Sequence, residues 1–161
     1  GEETLYACAA RVGADVPFCL KGGLCRAEGI GEILTPYPVQ KKIHLIIVKP
    51  AAGVSTAALF GSLKLPLPVP DALSALKAAG AGDADALSGL LFNALLAPAE
   101  KIAPEIGRCL ALLKESGALG ASMSGSGSAV FGLFRSRRAA RAAARKLGKN
   151  VNFLSVCATR V

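Results

Sequence analysis

No apolar run in this 161-residue chain reaches the roughly 20 residues that a helical membrane span needs. The chain therefore reads as soluble, with no membrane partner. Cysteine is present but unpaired by pattern. Cys8, Cys19, Cys25, Cys109 and Cys157 are odd in number and show no C-x-x-C spacing, which argues against a disulfide scaffold and against a zinc site. Reduced thiols in a cytoplasmic setting are the expectation, with no metal ligands assigned. There is a single histidine, His44, and no second ligand or base is spaced to recruit it. No repeat recurs at solenoid spacing. An initiator methionine is also missing, and residues 1–11 read as the end of a longer element. The expectation is a piece of a longer protein, whose upstream part could carry an organellar targeting segment.

What is present in excess is positive charge. Lys+Arg 19 against Asp+Glu 11 gives a net charge of +8, a balance suited to nucleic acid, a membrane surface or phosphorylated metabolites. Much of the excess crowds one segment: Arg135, Arg137, Arg138, Arg141, Arg145, Lys146 and Lys149. No aromatic residues are interleaved with these cations, so the segment reads as the solvated face of a helix and not as a nucleic-acid surface. The length suits one domain with a real core.

Local patterns predict the following order. Apolar Leu5, Cys8, Ala9 and Val12 repeat at helical spacing before a glycine stop at Gly13. Residues 25–34 are turn-rich between short extended pieces, and Pro36 and Pro38 end them. Ile43 to Val48 is a nearly continuous β-branched run and predicts a buried strand. Ser55 and Thr56 offer capping hydroxyls to a helix over 57–63, and the alternating prolines of 65–70 predict an extended linker. Helices are expected over 71–79, 84–96 and 104–116. A short strand then enters a Ser/Gly loop, followed by a strand over 129–134, a helix over 137–147 and a strand over 151–156. The order implies an α+β fold: a mostly antiparallel sheet with helices on one face, in a ferredoxin-like arrangement.

Two segments carry chemistry. Gly13-Ala14-Asp15-Val16-Pro17-Phe18 fixes one carboxylate between a glycine turn and a proline. Asp15 suits a general base, and it equally suits a turn or helix cap. Met123-Ser124-Gly125-Ser126-Gly127-Ser128 is a small-residue loop whose successive N–H groups could form an anion nest, or simply a hairpin turn. A proton acceptor and fixed positive dipoles are what phosphoryl transfer mostly needs. Thr56 reads as a helix cap and Phe60 as a core residue when each is taken alone.

Taken together, Gly13 to Phe18, Gly31-Glu32-Ile33-Leu34-Thr35-Pro36, Val54-Ser55-Thr56 with Phe60, Asn93, and Gly120 to Phe134 resemble a family in order and spacing. The chain is similar to the carboxyl-terminal part of the 4-diphosphocytidyl-2-C-methyl-D-erythritol kinases. These form a branch of the small-molecule kinases that include galactokinase, homoserine kinase, mevalonate kinase and phosphomevalonate kinase. The resemblance implies ATP-dependent phosphorylation, with Mg²⁺, of the 2-hydroxyl of a cytidine-diphosphate-linked methylerythritol in the non-mevalonate route to isoprenoids. It places the catalytic aspartate on Asp15, substrate contacts on Thr56 and Phe60, and the phosphate loop on Ser124, Gly125, Ser126, Gly127 and Ser128. It also implies that residues 1–36 end an amino-terminal kinase domain and that residues 37–161 form the carboxyl-terminal one.

Two departures from the family pattern matter. Where the family often carries Asn-Asp-Leu, this chain has Asn93-Ala94-Leu95. The Gly/Ser-rich nucleotide loop and early lysine of the amino-terminal domain do not occur in this sequence, so the missing amino-terminal segment is an implied partner and the chain alone is expected to be inactive. The alternatives are a homoserine- or mevalonate-type kinase of the same family and a catalytically silent binding module.

Overall fold

The computed structural model describes residues 1–63, 66–68, 70–148 and 151–160. Leu65 and Val69 of the expected proline linker and Lys149 of the basic cluster lie outside the described residues. The chain opens with α1 (Glu2–Val12) and α2 (Val16–Lys21), and then a hairpin of β1 (Leu24–Glu28) and β2 (Ile33–Tyr37). Strand β3 (His44–Lys49) follows, then the helices α3 (Thr56–Gly61), α4 (Ala72–Ala81), α5 (Ala84–Ser88), α6 (Leu96–Ile102) and α7 (Glu105–Glu115). The last third is β4 (Ala121–Met123), β5 (Val130–Phe134), α8 (Arg137–Leu147) and β6 (Phe153–Ala158).

The main sheet has four strands in the order β4-β5-β3-β6, antiparallel throughout. Strand β3 lies inside it because its β-branched run can be covered on both faces. Ile46 and Val48 point toward α7 and α8 and are fully buried, where they join Ile106 and Leu113 of α7 and Ala140, Ala143 and Leu147 of α8 in the main core. The alanines of α8 occur at helical spacing, and their small side chains let that helix sit close to the sheet. Its arginines are left outside. On the sheet's other face Leu133 and Ile43 form a smaller cluster with Ala84 of α5. This is the α+β, mostly antiparallel architecture expected from the sequence.

Four local details differ from the expectations. The helix anticipated over 84–96 is two helices, with Leu91, Phe92 and Asn93 in an irregular connection between them. Gly89 ends α5, and the side chain of Asn93 is committed elsewhere, as described below. The turn-rich segment after Cys25 is a regular hairpin, with Cys25 opposite Pro36 in its register. Strand β6 runs two residues later than anticipated, because Phe153 is the residue that falls opposite Lys49 of β3. Helix α2 was not anticipated: Pro17 sits in its first turn, where a missing N–H costs nothing.

Candidate phosphate loop and catalytic carboxylate

The Ser/Gly segment leaves β4 and returns as β5. Met123 pairs with Val130, the Ser124 N–H donates to Ala129 O at 2.9 Å, and the Gly127 N–H donates to Ser124 O at 3.0 Å. The turn between these contacts requires left-handed backbone at Gly125 (φ 54°) and Gly127 (φ 87°), which glycine adopts without steric cost. A Cβ at Gly127 would also lie 2.7 Å from the Met123 sulfur. The hairpin and the anion nest are therefore compatible in one loop. Among the described residues the N–H groups of Gly125, Ser126 and Ser128 donate to nothing. The Ser128 hydroxyl is buried, with no partner there either.

Two distant segments hold the loop. Thr56, the first residue of α3, places Oγ1 2.8 Å from Ser126 Oγ. Helix α3 is capped by Ser55, whose Oγ accepts from the Ala58 N–H at 3.4 Å, so the Thr56 hydroxyl is spared for this contact. Asn93 donates from Nδ2 to both Met123 O and Gly125 O at 2.9 Å. Phe60, one turn along α3 from Thr56, is 58% exposed. An aromatic ring at that exposure is not a core residue, and it can receive a flat ligand.

Asp15 sits elsewhere in the fold. It occupies the N-cap position of α2 with helical backbone angles, and its carboxylate makes no capping bond. It is exposed and takes part in no ion pair among the described residues. The structure thus joins Thr56 and the Ser/Gly loop directly, while no hydrogen bond links Asp15 to either among the described residues. No cluster of three or more His, Cys, Asp or Glu side chains suited to a resident metal occurs among the described residues. Mg²⁺ commonly binds through one or two carboxylates together with substrate phosphates. Asp15 would supply one such oxygen donor, and the free N–H groups and the orphaned Ser128 hydroxyl suit phosphate oxygens.

The role of Asn93 does not follow from its place within the 84–96 stretch. An asparagine inside a presumed helix is a poor helix former because its side chain competes for backbone groups, and that was the available signal. His44 is a strand residue whose Nδ1 is buried without a partner among the described residues. It lies away from the loop, opposite Phe134 and Ala158.

The chain also matches known families. Residues 70–152 match the family described as GHMP kinases C terminal. The chain belongs to the GHMP kinase family. A 4-diphosphocytidyl-2-C-methyl-D-erythritol kinase from Paracoccus denitrificans is 43% identical over 149 residues, covering 86% of this chain and 51% of that protein. A crystal structure of 4-(cytidine 5'-diphospho)-2C-methyl-D-erythritol kinase superposes with a TM-score of 0.81 at 30% identity, covering 96% of this chain and 56% of the other. Mevalonate kinase from L. major, solved with R-mevalonate, shares the fold: its TM-score is 0.67 at 22% identity, with 84% of this chain and 48% of that one covered. The GHMP kinase chain described here spans about half the length of the curated relatives it matches. None of its described helices is long and apolar enough to cross a membrane.

Proposed function

We propose that this chain is the carboxyl-terminal part of a kinase that transfers the γ-phosphoryl group of ATP, with Mg²⁺, to the 2-hydroxyl of 4-diphosphocytidyl-2-C-methyl-D-erythritol. The observation that carries the substrate assignment is the similarity to relatives of that name at 42–43% identity across 86% of the chain. In this reading Asp15 accepts or orients the proton of the substrate hydroxyl. The loop from Ser124 to Ser128 borders the phosphates with its free N–H groups. Thr56 and Phe60 contact the substrate, Thr56 from a position already bonded to the loop.

Residues 1–36 belong to the end of an amino-terminal domain in this reading, and residues 37–161 to the carboxyl-terminal domain. Supporting that division, Ala9 and Pro17 are the buried residues of the first segment, whereas Leu5, Val12, Ile30 and Ile33 are exposed. The nucleotide loop and lysine of the family would come from a preceding segment, so the 161 residues by themselves transfer no phosphoryl group. All five cysteines are free, which supports a reducing, cytoplasmic compartment.

The test is phosphoryl transfer by a protein that carries this chain together with the half of its relatives that the chain does not match. The cytidine-diphosphate-linked alcohol is expected to be phosphorylated far faster than mevalonate or homoserine. Equal or faster transfer to either of those alcohols would move the chain to another branch of the family. Tight binding of the cytidine-diphosphate compound with no transfer would make it a binding module.

A further inference from the structure

We infer that Asn93 is a positioning residue that turns the first half of the Ser/Gly loop into a donor surface by occupying the carbonyls of Met123 and Gly125. The inference rests on the reading of that loop as the border of a phosphate site. Asn93 Nδ2 donates to Met123 O and Gly125 O at 2.9 Å each, and its Oδ1 accepts from the Leu95 N–H at 2.9 Å. These partners fix the orientation of the amide, since two carbonyls can only accept and one N–H can only donate. The carbonyl between them, Ser124 O, accepts from Gly127 N–H. Three successive carbonyls are thereby occupied.

In this first half of the loop, what is left unpaired is N–H. The N–H groups of Gly125, Ser126 and Ser128 are free among the described residues, and the Ser128 hydroxyl is buried and unpartnered there. A loop of small residues otherwise offers as many acceptors as donors, and its carbonyls repel an anion. Blocking the carbonyls of residues 123–125 while sparing the N–H groups of Gly125 and Ser126 leaves the first half of the loop with a net positive dipole toward an anionic ligand. The anchoring bond to Leu95 lies at the N-cap of α6, so the amide is braced by a helix and not by another loop. Aspartate at this position would keep the shape and the bond to Leu95, but would put a carboxylate oxygen against two carbonyl oxygens.

The experiment titrates the 15N-labelled chain with inorganic tripolyphosphate and follows the amide signals of Gly125, Ser126 and Ser128. In the native chain these signals are expected to shift saturably. Asn93→Asp and the uncharged, shorter Asn93→Ser are each expected to weaken binding about tenfold or more, with amide signals outside the loop and α6 unchanged. In the complete kinase the same variants are expected to raise KM for ATP by a similar factor and to change kcat far less. Native loop amides that ignore tripolyphosphate would overturn the inference. So would equal binding by the native chain and Asn93→Ser, which would reduce the Asp effect to added charge. Asn93-dependent binding in a protein that fails to phosphorylate the cytidine-diphosphate-linked alcohol would remove the substrate assignment and leave the inference standing.

Discussion

The first 37 residues and the remainder of the chain are built on opposite terms. From His44 onward, strands and helices close over shared cores, and Ile46, Val48, Ile106, Leu113 and Ala140 have no exposed surface. Before that, two helices and a hairpin hold Asp15 yet bury little of their own apolar surface. Val12 is 79% exposed and Ile30 77%. The two regions meet where α4 packs on β1 and across a cavity of about 400 Å³ lined in part by Leu24, Ile43, Leu87 and Leu133. In the proposed reading the difference separates two tasks: the later region supplies stability and the loop that borders the phosphates, and the earlier region supplies the carboxylate.

The contrast is sharpened most by Asp15→Asn in the complete kinase. Turnover is expected to fall by about 10²–10⁴-fold, the usual worth of a positioned proton acceptor, while substrate KM and thermal stability stay near native. Steady-state kinetics with near-normal kcat would remove Asp15 from the base role. Next comes Leu113→Ala in the main core, expected to cost about 2–5 kcal/mol by lost burial and a residual cavity, read by urea unfolding. Ser136→Ala is expected to cost about 1 kcal/mol, because Ser136 Oγ accepts from the Ala139 N–H at 3.1 Å and caps α8. Val12→Ser, on the earlier region, is expected to leave the stability of this chain within about 0.5 kcal/mol. A cost comparable with that of Leu113→Ala would show that the earlier region has a core of its own.

The smallest effect is set by pH. Arg135 Nε donates to both carboxylate oxygens of Asp85 at 3.0 and 3.1 Å, tying α5 to the end of β5. Hydrogen bonding to that guanidinium lowers the Asp85 pKa below its ordinary value of 3.8. A lowered folded-state pKa means that the pair's contribution is present at neutral pH and is lost as pH falls through the folded value. Arg135→Ala is therefore expected to lower Tm slightly at pH 7 and not at all in strong acid, and thermal melts at both pH values read the difference. Both groups are exposed, so the whole effect is small.

Much of this was legible in the residues. The β-branched run at 43–48 and the apolar stripe of Ile106, Cys109, Leu110 and Leu113 are periodic signals, and each appeared as the element expected. The Arg137–Leu147 helix was equally plain, because its alanines and arginines fall on opposite faces. Residues 84–96 read as one helix because periodicity registers apolar spacing and cannot register that Asn93 is held by carbonyls of residues 123 and 125. The Thr56 and Ser126 hydroxyls both stand out in the sequence, yet their contact spans 70 positions. Only the folded sheet brings such pairs together. The bare carboxylate of Asp15 has the same origin: a sequence shows an aspartate at a cap position, and only geometry shows that it does not cap.

The strand order β4-β5-β3-β6 also sets a schedule for synthesis. Strand β3 emerges from the ribosome long before either of its neighbours, β5 and β6, has been made. At about 5–20 residues per second, this apolar strand must pass several seconds with both edges bare. Its last edge is closed by β6 and the residues just after it, where the Thr159 hydroxyl accepts from the Ile43 N–H at 2.9 Å. A ribosome that stalled within α8 would hold a nascent chain whose central strand is apolar and half-paired, a substrate for chaperones and a seed for aggregation.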